Sequence, residues 1–315
     1  MSYKIINRRI DYCLTGWDLI STDSLSELFS DLNLSVASPI FSPLHGGSLN
    51  KLFCTSFHGA RNFVIKISPT WNNTGLAREN WCYALLKSNT NLKIPRVYAY
   101  LPNDNLYLPG HEILVLEKIN GRHLKESDLT NPTINSQLSS ILNEIHKTNG
   151  TRYGWLFGPS NEAECESWLE FLCKLENIHL TLQRSQITTQ EVDFLYSNFL
   201  EYGNWQFPSR LLYGDMNNSN LIVNDSDVII PIDFQNCFYG DPLYDLGIML
   251  FFNPSLLKYL NYYQVYNKQD IRKIILYAMR HCINTLGHRC SIQNIYGIHE
   301  SETKYFLFKQ LFEET

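Results

Sequence analysis

The sequence has no Cys-x-x-Cys pair, no apolar run near the length of a membrane span and no excess of positive charge. Each absence removes a class of protein. The eight cysteines (13, 54, 82, 165, 173, 237, 282, 290) are scattered, so zinc-site spacing is missing, and a disulfide framework is not expected in a chain of 315 residues without a secretory signal. Buried thiols are expected instead. The longest apolar runs, such as Ile248 to Phe252, fall far short of the roughly 20 residues that cross a bilayer. The opening MSYKIINRRIDYCLTG holds no apolar core of signal-peptide length, which makes a cytoplasmic protein with no membrane partner the expectation. A net charge of −5 argues against a nucleic-acid partner and is compatible with a cationic ligand. With 44% hydrophobic and 18% charged residues, the chain has the composition of a well-packed globular core and the length of two ordinary lobes. It carries no signal for an oligomeric state.

What is present is concentrated in Leu211 to Gly247, LLYGDMNNSNLIVNDSDVIIPIDFQNCFYGDPLYDLG. Leu221-Ile222-Val223 and Val228-Ile229-Ile230 are short β-branched runs separated by Asn224-Asp225-Ser226-Asp227, the pattern of two strands joined by a polar turn. Asn220 stands just before the first run and Asp233 just after the second, so an antiparallel hairpin is expected to bring them to the same end. Asp215 lies five residues before Asn220. Two carboxylates and a carboxamide suit a magnesium nucleotide: the ion takes oxygen ligands from one or two carboxylates and from phosphates. A carboxylate not spent on the metal is left to take a proton from an attacking hydroxyl. The blander reading, that acidic turns cap a surface hairpin, fits Asp225 and Asp227.

The spacing Asp215-x4-Asn220, followed by Asp233, matches the catalytic-loop and metal-aspartate layout of protein-kinase-like phosphotransferases. Tyr213-Gly214-Asp215 stands where protein kinases have His-Arg-Asp, and Asp233-Phe234-Gln235 where they have Asp-Phe-Gly. An Ala-Pro-Glu segment is also missing, and Asp233 to Asp245 leaves little room for an activation loop. With Gly240-Asp241-Pro242-Leu243-Tyr244-Asp245-Leu246, these departures resemble the aminoglycoside phosphotransferase family and its small-molecule kinase relatives. The resemblance covers roughly residues 40 to 250. It implies an α+β, bilobal, protein-kinase-like fold, with an N-terminal antiparallel-sheet lobe over 1–119 (including a leading helical segment, 1–36) and a mainly helical catalytic and substrate-binding lobe over 120–315. It also implies ATP and Mg2+ as cofactors, with Asp215 as the base and Asn220 and Asp233 holding the metal. Asp245 is expected to satisfy backbone N–H groups of the loop carrying Asp215.

Upstream residues supply the rest in order. Gly46-Gly47-Ser48 sits at an expected hairpin turn, where missing Cβ atoms let backbone N–H groups approach an anion. It resembles the family's glycine loop. In Asn62-Phe63-Val64-Ile65-Lys66-Ile67, period-two alternation places Phe63, Ile65 and Ile67 on one face of a strand and Val64 and Lys66 on the other. A lysine inside such a strand either snorkels to solvent or meets an anion. In the second case Lys66 contacts nucleotide phosphates and pairs with a glutamate on the next helix. Between Asn62 and Asn103 the one acidic residue is Glu79, on a helix predicted over Gly75 to Lys87 with Thr74 as N-cap.

Strands are expected at Ile94–Tyr100 and Ile113–Ile119. The resemblance places the backbone from Glu117 to Ile119 against an adenine edge. Further on, Ile134, Leu138, Ile141, Leu142 and Ile145 predict a helix ending by Gly150, with His146 as a packing or capping residue. Tyr153 to Gly158 is expected to turn. Glu162, Glu164 and Glu166 are expected to open the next helix, where negative charge is favoured, with the rim of a cationic-substrate pocket as the alternative.

The expected activity is transfer of the γ-phosphoryl group of ATP to a hydroxyl of a small molecule. An aminoglycoside or another aminated, cationic compound is the family's suggestion, with antibiotic resistance as its consequence. A catalytically silent nucleotide-binding protein of the same fold is the alternative.

Overall fold

The computed structural model describes residues 22–34, 40–44, 50–56, 62–68, 75–156, 163–202, 207–256 and 266–315. They fall into two compact units. The first holds the described residues up to Arg122 together with Ile222–Gln235; the second holds those from His123 to Leu221 and Asn236–Thr315. The segment carrying Asp233 therefore belongs with the first unit, although it lies inside the 120–315 span expected for the second.

The first unit is built on a five-stranded antiparallel sheet. Its strands are β1 (Ile40–Leu44), β2 (Lys51–Ser56), β3 (Phe63–Ile67), β4 (Val97–Leu101) and β5 (Ile113–Glu117), in the order β1-β2-β3-β5-β4. Register sets what each face carries. Phe53 pairs with Ile65 and Ile65 with Val115, while Leu52 and Leu114 flank Lys66. Phe53, Phe63, Ile65, Ile67, Ile113 and Val115 pack on Leu25, Leu28 and Phe29 of helix α1 (Thr22–Asp31). These three are spaced i, i+3, i+4, a single helical stripe. Phe29 sits edge-on to Phe63 with ring centroids 5.4 Å apart. The leading segment thus has a structural task, covering the sheet face opposite Lys66. Both later strands are shorter than expected. Pro95 has no N–H for a ladder, which keeps the start of Ile94–Tyr100 out of the sheet, and β5 stops at Glu117, leaving Ile119 beyond it.

Helix α2 runs Gly75–Asn89; the suggested cap, Thr74, lies outside the described residues. The expected hairpin is present as β10 (Leu221–Val223) and β11 (Ile229–Pro231). Asn224 organises its turn by accepting from the N–H groups of Ser226 and Val228 at 3.0 and 2.9 Å.

In the second unit, helix α3 spans Pro132–Ile145 and buries the predicted stripe. Asn131 caps it, accepting from Thr133 N at 2.9 Å, with Pro132 at the first helical position. Asn131→Ala should cost about 1 kcal/mol, read as a lowered urea midpoint with an unchanged m-value.

Two expectations here are corrected. Tyr153–Leu156 is a strand, β7, not a turn; it pairs with β12 (Phe238–Gly240) and with β8 (Ala163–Cys165) in a sheet of order β8-β7-β12-β9, where β9 is Arg210–Leu212. The glutamates do not open a helix either. Glu164 lies within β8, Glu166 ion-pairs with Arg152 at 2.9 Å, and the helix (α4, Trp168–Cys173) starts after its cap Ser167. Glu162 lies outside the described residues.

Four longer helices follow: α6 (Thr189–Tyr202), α7 (Leu243–Phe252), α8 (Lys268–Ser291) and α9 (Ile295–Glu314), with the short α5 (Ile178–Arg184) before them. Of the seven described cysteines, none is in a disulfide and six are buried. Among the described residues no helix is long and apolar enough to cross a membrane.

Candidate active site

In the first unit the chemistry gathers at Lys66. The β3 pleat turns its side chain away from the α1-covered face, toward α2. Its Nζ donates to both oxygens of Glu79, at 2.7 and 2.9 Å, and to Asp233 Oδ1 at 3.0 Å. Glu79 is wholly buried and Lys66 is 7% exposed, so the pair is held out of water. Burial alone would lower the Lys66 pKa; the charges of Asp233 and Glu79 outweigh it and raise the pKa above the usual lysine value. Burial pushes the Glu79 carboxyl up to about 7, against the pull of Lys66. For Lys66 the sign is plain. A raised pKa adds stability that is fully present below the unfolded value and lost only as pH climbs past the folded one, so the lysine stays charged at neutral and mildly alkaline pH.

Asp233 follows the hairpin with φ at +62° and keeps 36% of its side chain exposed. Its second carboxylate oxygen has no bond to Lys66. Gln235, in place of a glycine, is tied down on both sides. Its side-chain oxygen accepts from Asn50 Nδ2 at 2.7 Å and its backbone oxygen from Arg78 at 3.3 Å. Tyr83, one turn along α2 from Glu79, is edge-on to Phe234 with centroids 5.1 Å apart.

Gly46, Gly47 and Ser48 lie outside the described residues. Of the segment expected against adenine, the Glu117 N–H donates to Arg96 O at 2.8 Å and the Lys118 N–H to Asn62 O at 3.1 Å. That expectation therefore narrows to the Ile119 N–H and the carbonyls of the segment.

In the second unit the corresponding feature is the loop from Tyr213 to Asn220. Asp245, fully buried on α7, accepts from Tyr213 N and Gly214 N, both at 2.9 Å, and lies 2.9 Å from His146 Nε2. His146 is thus both the cap of α3 and a donor to the carboxylate that fixes the loop. Gly214 has φ at +77°, and a Cβ there would stand 1.9 Å from the carbonyl oxygen of Asn236. Only glycine fits this crossing of backbones.

Asp215 comes next, with each carboxylate oxygen taken by a different amide. Asn217 Nδ2 donates to Oδ1 at 2.7 Å and Asn236 Nδ2 to Oδ2 at 3.1 Å. Asn220, 8% exposed, donates its Nδ2 to the Asp215 carbonyl at 3.1 Å, which leaves its amide oxygen as the group a hard cation takes. Asn218 and Asn253 exchange two side-chain hydrogen bonds at 3.1 Å, pinning the loop to the end of α7. Asn217, Asn236 and the Asn50–Gln235 bond were not predicted. Their one sequence signal is the density of amides in Met216-Asn-Asn-Ser-Asn220 and Gln235-Asn236.

A lysine locked between two carboxylates on a sheet, and an aspartate held by amides on a glycine-anchored loop, are the working parts of a phosphoryl-transfer enzyme. The family comparison agrees: a model of the phosphotransferase enzyme family matches residues 40–276. The chain belongs to that family, and it is a small-molecule kinase. No curated protein matches it.

Its fold is shared with solved structures of low identity. Aminoglycoside phosphotransferase APH(4)-Ia superposes with a TM-score of 0.72 at 16% identity, over 91% of this chain and 98% of that one. A putative fructosamine-3-kinase from Haemophilus somnus 129PT gives 0.66 at 17%, over 93% and 99%. A microcompartment-associated aminopropanol kinase gives 0.64 at 15%, over 92% and 98%.

Proposed function

We propose that this kinase uses magnesium ATP and transfers the γ-phosphoryl group to a hydroxyl of an aminated small molecule, an aminoglycoside among the candidates. The observation that carries the reading is the Lys66–Glu79–Asp233 cluster, a buried cation oriented by one carboxylate and shared with a second that is partly exposed. Lys66 would meet the nucleotide phosphates, the free oxygen of Asp233 and the amide oxygen of Asn220 would hold the ion, and Asp215 would orient the acceptor. The bound metal would neutralise charge on the phosphates. The donor chemistry fits a hard ion: oxygens only, with few protein ligands, as magnesium prefers.

In the step itself, the acceptor oxygen forms a bond to the γ-phosphorus while the bond to the β–γ bridging oxygen breaks. The hydroxyl proton passes to the Asp215 carboxylate, and ADP leaves. Little covalent work falls to the protein; positioning and charge neutralisation suffice. Complexes of the APH(4)-Ia relative with ADP or AMP-PNP and hygromycin B support a purine nucleotide and a polyamine-like acceptor. The pairing of Glu166 with Arg152 weakens the case for the acidic rim as a cation pocket, since that charge is already matched.

The test is ADP release across a panel of aminoglycosides, amino sugars and amino alcohols, comparing wild type with Asp215→Ala. Acceptor-dependent release by wild type alone is expected. Tight MgATP binding without turnover on any acceptor would favour a silent nucleotide-binding protein.

A further inference from the structure

The first unit contains a cleft of about 620 Å³ that none of Lys66, Glu79, Asp233 and Asp215 lines. One wall is the flank of α2, through Asn80, Tyr83 and Lys87; the others come from the segment leading into β4, the end of β5 and Ile230 of β11. The volume is that of a small-molecule site. Its floor is apolar, with Ile230 buried and Tyr83 2% exposed.

Its rim is cationic. Lys87, Lys93 and Arg96 face one carboxylate, Glu117, which accepts from the backbone N–H of Arg96 at 3.2 Å. Among the described residues neither lysine has an ion-pair partner, and the Arg96 guanidinium lies over the Tyr98 ring at 5.0 Å. A cation in the last turn of a helix is ordinary, since the helix dipole favours it there, and Lys87 alone would need no other account. Lys93 and Arg96 lie beyond that helix and gain nothing from it. Three cations around an apolar floor, in a protein of net charge −5, therefore point to an anion.

We propose that this cleft binds a small amphipathic anion, a flat apolar body bearing one carboxylate, sulfonate or phosphate, at a place separate from the phosphoryl-transfer residues. The apolar body would cover Tyr83 and Ile230 while the anionic end meets Lys87 and Lys93, charge-assisted contacts that outlast water better than neutral ones. Its wall shares α2 with Glu79, the partner of Lys66.

The probe is 8-anilinonaphthalene-1-sulfonate, an aromatic body with one sulfonate, titrated by fluorescence into the full chain with and without saturating MgADP. Saturable binding that persists with MgADP is expected. Affinity should fall at least tenfold in K87E/K93E and in Ala84→Trp, which fills the cleft without changing charge, and should hold in the reversal K125E outside it. Circular dichroism checks that each variant is folded, and either of the two cleft variants suffices. Absence of saturable binding, displacement by MgADP, or equal affinity in a folded cleft variant overturns the proposal.

Discussion

Asp215→Ala should lower acceptor-dependent ADP release by about 100- to 10,000-fold, the range typical of a lost general base, while MgADP affinity is retained. The argument rests on what holds the carboxylate. Asn217 and Asn236 each donate to one of its oxygens, so the plane of the group is fixed from both sides before any acceptor arrives. The backbone under it is fixed as well, through Gly214 and the three donors gathered by Asp245. Such preorganisation is what converts a carboxylate into an effective base, because the acceptor hydroxyl finds it already aimed.

Two companion variants separate proton transfer from positioning. Asp215→Asn keeps the shape and loses the basicity, so it should fall as far as alanine. Asn236→Ala keeps the base and frees one oxygen, and should lose roughly tenfold in kcat with little change in nucleotide KM. If Asp215→Asn retains most activity, the side chain orients the acceptor and takes no proton. Isothermal titration with MgADP shows in each case that the nucleotide site survives.

The sequence makes one half of this site far more legible than the other. Lys66 was readable because a charged residue in an alternating apolar strand violates its local pattern, and Glu79 because no other acid lies nearby in the chain. Patterns with one exception and one candidate partner leave little choice. Helix α1 was readable for the same reason, as a clean stripe of Leu25, Leu28 and Phe29.

The amide clamp was not readable. Asparagines in polar loops are ordinary turn residues, and a single-residue shift moves their donors to other acceptors. The Glu162–Glu166 stretch misled for a related reason. A helix start favours acids, but Ser167 is the true cap, and the alternation of Ala163 and Cys165 inside with Glu164 between them marks a strand three residues long. Segments that short carry too few positions for periodicity to separate strand from helix entry.

Arg280→Leu should be the most destabilising single change in the second unit, and the reason lies far from any phosphate. Arg280 is 2% exposed in the middle of α8, yet its hydrogen-bond partners include no carboxylate. Its guanidinium is spent on neutral acceptors. Nε donates to Leu172 O at 2.9 Å, Nη2 to Phe171 O and Lys174 O at 2.7 and 2.8 Å, and Nη1 to the Tyr244 hydroxyl at 2.6 Å. Three of those acceptors are carbonyls at the C-terminal end of α4, which have no partner inside their own helix. The ring of Phe171 lies 4.4 Å below the guanidinium and adds a cation–π contact.

One side chain thus finishes α4 and ties it to α7 and α8. Leucine fills part of the volume and strands the carbonyls in a dry core, where each unsatisfied group costs about 1–3 kcal/mol. Allowing for relaxation, a net loss of about 3–5 kcal/mol follows, the range for removing one side of a buried charged network, and Tm should fall on the order of 10 °C. Arg280→Lys should recover only part of it, since one ammonium has three donors and no planar fork to span four acceptors. A thermal scan of the three proteins decides: equal Tm values for leucine and wild type would mean that α4 finds other donors, and equal values for lysine and wild type would mean that charge, not the fork, is what the site requires.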